Sequence, residues 1–154
     1  MKHTIYVASS WRNQVQPEVV TALREYGHEV YDFRHPEPMN DGFAWSEIDE
    51  NWLGWTPDEF TDALEHPVAL EGYSLDYAAM NRSDMGVLVL PSGRSAHIEA
   101  GWLIGQGKKV IILLSPLDFE PELMYLLADH IVTSIGELIR VVGPATPTPE
   151  GAEK

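Results

Sequence analysis

The chain has no cysteine, so neither a disulfide framework nor thiolate chemistry is open to it. Basic residues are scarce: ten Lys and Arg stand against 24 Asp and Glu, a formal net charge of −14 at pH 7. A surface that neutralises nucleic-acid phosphates needs clustered Lys and Arg, so DNA and RNA are not expected partners. The deficit still leaves room for a small anion held by two or three local arginines. No apolar run approaches the roughly 20 residues needed to span a membrane. The start, Met1-Lys2-His3 and then a short apolar strand, is too short for the apolar region of a signal peptide. A soluble, cytoplasmic protein with no membrane partner is expected. The six histidines include no i, i+4 pair and no carboxylates at ligand spacing. Neither a metal nor another cofactor is therefore expected.

What is present suits one domain with one core: 154 residues, 44% of them hydrophobic. Five apolar stretches read as strands, at residues 4–8, 29–33, 87–90, 109–114 and 130–132. Helices are expected from Pro17 to Tyr26, from the Gly93 loop to Gly107, around 121–128 and over 135–142. Continuous apolar strands alternating with helices imply an α/β fold. The expected form is a flavodoxin-like, five-stranded parallel sheet with helices on both faces, in the order 2-1-3-4-5. The domain is expected to span 1–142, and the Pro-, Thr- and Glu-rich residues 143–154 to be a disordered tail. An insert over 34–72, after the second strand, holds Trp45, Trp52 and Trp55, three of the five tryptophans. It suits either a satellite core or an aromatic lid over a flat heterocycle.

The richest segment is Gly93-Arg94-Ser95-Ala96-His97-Ile98-Glu99-Ala100-Gly101-Trp102. A strand that ends in a Gly/Ser loop and turns into a helix is the usual ligand-facing corner of an open α/β sheet. Glu99 is expected in about the first turn of that helix, where the dipole favours a negative charge. It either complements the dipole or attacks an electrophilic sugar carbon. Ser92, Gly93, Arg94 and Ser95 offer backbone N–H groups and a guanidinium to an anion, and Arg12 in the first strand's loop adds a second guanidinium. His97 reads as a surface or packing residue. Asp76, in a helix before the third strand, and Asp84, near that strand's start, are candidates for proton donor or substrate clamp.

On these residues the chain resembles the nucleoside 2-deoxyribosyltransferase family, with its relatives the deoxynucleoside 5'-monophosphate N-glycosidases. The likeness runs from the Ile5-Tyr6 strand with its Ser/Trp loop, through Asp76 and Asp84, to Glu99-Ala100-Gly101-Trp102 and residues 105–108, most of 4–114. The resemblance implies a nucleophile at Glu99 that captures C1' of the sugar. It implies that Asp76 holds the sugar or helps to protonate the base, and that Tyr6 orients the nucleophile. Gly93 departs from the family pattern, since the transferases carry an acid there. Ser10 and Arg12 look like the phosphate-contacting loop of the monophosphate hydrolases, whereas Trp11 looks like the transferases. Deoxyribosyl transfer from a nucleoside to a free base is therefore the first expectation. Hydrolysis of a nucleoside 5'-monophosphate is the alternative, and a nucleotide-sensing module without turnover is a further one. The resemblance also implies a homo-oligomer, at least a dimer.

Overall fold

A computed structural model describes residues 1–36 and 41–145. It divides into two compact units, one of Met1–Tyr31 with Ser83–Lys154 and the other of Asp32–Arg82.

The first unit carries the sheet. Strands β1 (Thr4–Ala8), β2 (Glu29–Asp32), β3 (Met85–Val89), β4 (Lys109–Leu113) and β5 (His130–Val132) lie in the order β2-β1-β3-β4-β5. The β1–β3, β3–β4 and β4–β5 pairs are parallel. The fold is thus the five-stranded flavodoxin-like α/β sheet that the strand pattern implies. The third strand begins at Met85, two residues before the apolar run suggests. Gly86 interrupts the apolar pattern there without interrupting the ladder, in which it pairs with Tyr6 and Val110.

Alternation assigns the two faces. Ile5 and Val7 of β1, Met85, Val87 and Val89 of β3, and Ile111 and Leu113 of β4 form one buried cluster. Val19, Val20 and Leu23 of α1 (Gln16–Glu25) and Leu138, Ile139 and Val142 of α5 (Ile135–Val142) complete it. Ser134 starts α5 by accepting a hydrogen bond from the Glu137 amide at 3.1 Å. The opposite face holds Tyr6, Gly86 and Val110 in register, with the helix α4 (Arg94–Gly105) packed on it. Gly86 allows the close approach: a Cβ there would stand 2.5 Å from Leu103 Cδ1. In Gly86→Ala the end of the Leu103 side chain would have to shift, at a cost of up to about 1–3 kcal/mol.

Residues 121–128 form only a short 3-10 turn, Leu123–Leu127, where the sequence suggests a helix. Of the stretch expected to be disordered, 143–145 are held in place. Gly143 O lies 2.7 Å from His28 Nε2, and Ala145 N donates to Tyr26 O at 2.9 Å. Residues 146–154 lie outside the described residues. No helix among the described residues is long and apolar enough to cross a membrane.

The second unit contains the Trp-rich insert and extends further than its composition suggests. Its helices are α2 (Pro57–Ala63) and α3 (Pro67–Arg82). Thr56 and Glu59 form a reciprocal capping box at the start of α2. Trp45 packs edge-on against Phe43, Trp55 and Phe60, with centroids 4.7, 5.7 and 5.8 Å away. Gly72 of α3 gives Phe43 its place, since a Cβ there would lie 3.0 Å from Phe43 Cβ. That contact joins α3 to the insert. Trp55 Nε1 donates to Asp49 Oδ2 at 2.7 Å. The Asn51 amide and this indole N–H hold the Asp49 carboxyl below the usual carboxylate range.

Candidate functional site

The geometry begins at the centre of β1. Tyr6 is fully buried, and its register beside Gly86 puts it on the face covered by α4. Glu99 lies one helical turn before Leu103, the residue that Gly86 admits, so the same packing brings its carboxylate down to the tyrosine. Tyr6 Oη donates to Glu99 Oε2. Tyr31 of β2, also buried, stacks on the Tyr6 ring at 5.4 Å and 15° and holds its plane. Glu99 itself is only half-buried.

Glu99 is the sixth residue of α4, whose first turn holds no acid. The expectation of a first-turn position is therefore corrected to the second turn. The dipole's influence fades within the first turn, and the Tyr6 hydroxyl is a partner that orients this carboxylate.

The loops at this edge are tied together. Buried Asn13 accepts from the Val15 and Gln16 amides at 2.8 Å each, which starts α1. Its Nδ2 donates to Pro91 O at 3.0 Å and Val89 O at 3.4 Å. Ser9 Oγ also donates to Val89 O, at 2.9 Å. These bonds join the loop of Ser10, Trp11 and Arg12 to the loop of Ser92 and Gly93. Trp11 and Arg12 are exposed, and the Arg12 amide donates to Ser10 Oγ at 3.2 Å. Gly93 is the N-cap of α4 and supplies no side-chain cap, so the helix presents free-ended N–H groups. Arg94 and Ser95 are exposed beside them. Ser92 Oγ is buried with no hydrogen-bond partner among the described residues. Unspent donors at a helix start suit an anion.

His97 folds back on this turn, its Nδ1 2.7 Å from Gly93 O and its Nε2 2.8 Å from Tyr125 Oη. Burial, then the charges of Glu122 and Glu120, push the Tyr125 phenol above its ordinary pKa. It is therefore protonated at neutral pH and able to donate.

Asp84 is not brought to this edge. It lies at the other end of the sheet, where Oδ1 is 2.9 Å from His3 Nδ1 and Oδ2 accepts from the Thr4 amide at 3.2 Å. An acid that precedes a strand sits where the strand starts, whereas ligands meet an open parallel sheet where its strands end. Asp76 is half-buried on α3 and Trp45 lies in the aromatic cluster, both within the second unit. Among the described residues no group of three His, Cys, Asp or Glu is gathered to hold a metal ion.

Tyr31, Asn13 and Tyr125 are site-edge residues that sequence reasoning does not single out. Asn13 alone had a visible signal, an Asn shortly before a helix.

A 2-deoxyribosyltransferase from the psychrotolerant bacterium Bacillus psychrosaccharolyticus superposes with a TM-score of 0.59 at 19% identity, over 94% of this chain and 98% of that one. The chain has that enzyme's fold. A CMP N-glycosidase from Clostridium botulinum matches with a TM-score of 0.48 at 20% identity, over 90% of this chain and 95% of that one. The transferase is of the family that the sequence resembles. No family model matches the chain, and no curated protein matches it.

Proposed function

We propose that the protein cleaves the N-glycosidic bond of a 2'-deoxynucleoside and transfers the deoxyribosyl group to another base through a covalent intermediate on Glu99. The observation that carries this reading is the buried Tyr6 hydroxyl bonded to one oxygen of a half-exposed carboxylate. In this reading a carboxylate oxygen of Glu99 attacks C1'. The C1'–N bond breaks, its electron pair leaves with the base, and the base takes a proton. Loss of the 2'-hydroxyl eases this step, because an electron-withdrawing group next to the cationic carbon is gone. Asp76 is assigned the sugar-holding or proton-delivering role that the resemblance gives it. An acceptor base then attacks C1' and releases the carboxylate. Trp45 is the insert residue assigned to the base, and a homo-oligomer belongs to the same reading.

A second reading, hydrolysis of a nucleoside 5'-monophosphate, is favoured by the uncapped start of α4 and the unpartnered Ser92 hydroxyl. Arg12, Arg94, Ser10 and Ser95 would then hold the phosphate and water would replace the acceptor base.

The test is a panel of deoxynucleosides and their 5'-monophosphates, incubated with and without an acceptor base and separated by chromatography. Transfer yields a new nucleoside that requires the acceptor. Hydrolysis yields free base whether or not an acceptor is present. Release of no base from any substrate overturns both and leaves a binding module.

A further inference from the structure

The turn Leu123–Leu127 has an unusual economy. Leu123, Met124, Leu126 and Leu127 are 74%, 58%, 79% and 55% exposed, so this short segment has no core of its own. Tyr125 is its one half-buried side chain, and its ring stacks on His97 at 5.8 Å and 20°. Partner chemistry fixes the protons of the neutral imidazole. Gly93 O can only accept, so Nδ1 carries the proton that it receives across 2.7 Å. Nε2 is then the acceptor, and the Tyr125 hydroxyl donates to it across 2.8 Å. The result is a directed chain, Tyr125 O–H to His97 Nε2 and His97 Nδ1–H to Gly93 O, ending on the residue that starts α4.

His97 stands two positions before Glu99, and residues at i and i+2 of a helix do not face each other. Both of its ring nitrogens are already engaged. It is therefore poorly suited to exchanging protons with a substrate at Glu99, but well suited to holding the turn.

We propose that Tyr125 and His97 form a positioning relay. It fastens the Gly93 turn to the 3-10 segment and so sets where the first two turns of α4, and with them Glu99, lie over Tyr6. In its effect on turnover, the proposal rests on the reading of Glu99 as nucleophile. Its structural content does not. Neither residue need touch substrate.

The test uses the full chain with Tyr125→Phe, which keeps the ring and removes the hydroxyl, and His97→Gln as a second variant. Nitrogen-15 NMR of histidine-labelled wild type should show His97 protonated at Nδ1 and not at Nε2. In either variant, amide exchange should rise about tenfold over residues 93–99 while the melting temperature moves by no more than about 3 °C. Turnover should fall by about tenfold or more with KM within about twofold, as for a misplaced rather than a missing catalytic group. The double variant should be no worse than the more impaired single one, because both break one relay. An Nε2–H tautomer, unchanged exchange over 93–99, or unchanged turnover in both variants overturns the relay. If the wild type releases no base, the functional reading falls instead, and tautomer and exchange decide the relay alone.

Discussion

Two carboxylates at opposite ends of the same sheet have opposite surroundings. Asp84, at the strand starts, belongs to a closed circuit. It takes the His3 ring and the Thr4 amide, while the Asp84 amide donates to Thr4 O at 2.9 Å. The His3 amide meets His28 Nδ1 at 3.1 Å, and His28 Nε2 meets Gly143 O. Every one of these groups is spent on knitting β1, β3 and the end of α5 together. At the strand ends, Glu99 is oriented by a buried tyrosine yet half-exposed, beside an uncapped helix and an unpartnered serine hydroxyl. Polar groups closed into such a circuit build the fold, whereas a half-exposed acid on the helix with an uncapped start marks the candidate ligand edge.

Exchanging the two acids in turn breaks the comparison most directly. Glu99→Gln is isosteric and should leave the melting temperature nearly unchanged while turnover falls by about 10⁴-fold. Survival of a tenth of the wild-type rate contradicts the nucleophile role. Trp45→Ala removes the hub of the aromatic cluster and should cost roughly 2–4 kcal/mol of stability, seen as a lower melting temperature. A raised KM in the protein that remains folded would support the base-contacting role assigned to Trp45, whereas an unchanged KM would leave it a packing residue alone. Arg12→Ala sharpens the contrast at the ligand edge. It should lower kcat/KM for a 5'-monophosphate by roughly 1.5–3 kcal/mol in transition-state terms, with little effect on the nucleoside. Equal losses on both substrates would remove the phosphate reading. Asp84→Ala has the smallest expected effect, about 1 kcal/mol of stability because its carboxylate is solvent-exposed, with catalysis intact. A loss of turnover larger than the loss of folded protein would return Asp84 to the site.

Much of this architecture is legible in the chain. The parallel sheet follows from apolar runs alternating with helices, the strand order is inferred from that fold class, and Tyr6 and Glu99 stand out through their resemblance to a known pattern. The position of Asp84 was also readable, because strand direction alone sends it to the far edge. What was hidden depends on contacts between distant segments. Gly86 in an apolar strand gives no sign that Leu103, one turn beyond Glu99, descends onto it. The Leu/Met run at 123–127 reads as part of a helix, yet it forms a 3-10 turn that is mostly exposed, with only Tyr125 half-buried. Likewise, Phe43 of the insert packs at Gly72 of α3, a pairing that no local pattern reveals.

The central claim is that Glu99 becomes covalently glycosylated. Incubation with a 2-fluoro-2-deoxy nucleoside, which slows release of the intermediate, followed by proteolysis and mass spectrometry, tests it directly. The account predicts one added fluorodeoxyribosyl group per chain, on the peptide containing Glu99, and none in Glu99→Gln. Release of base with no adduct, or an adduct on another carboxylate, would contradict it.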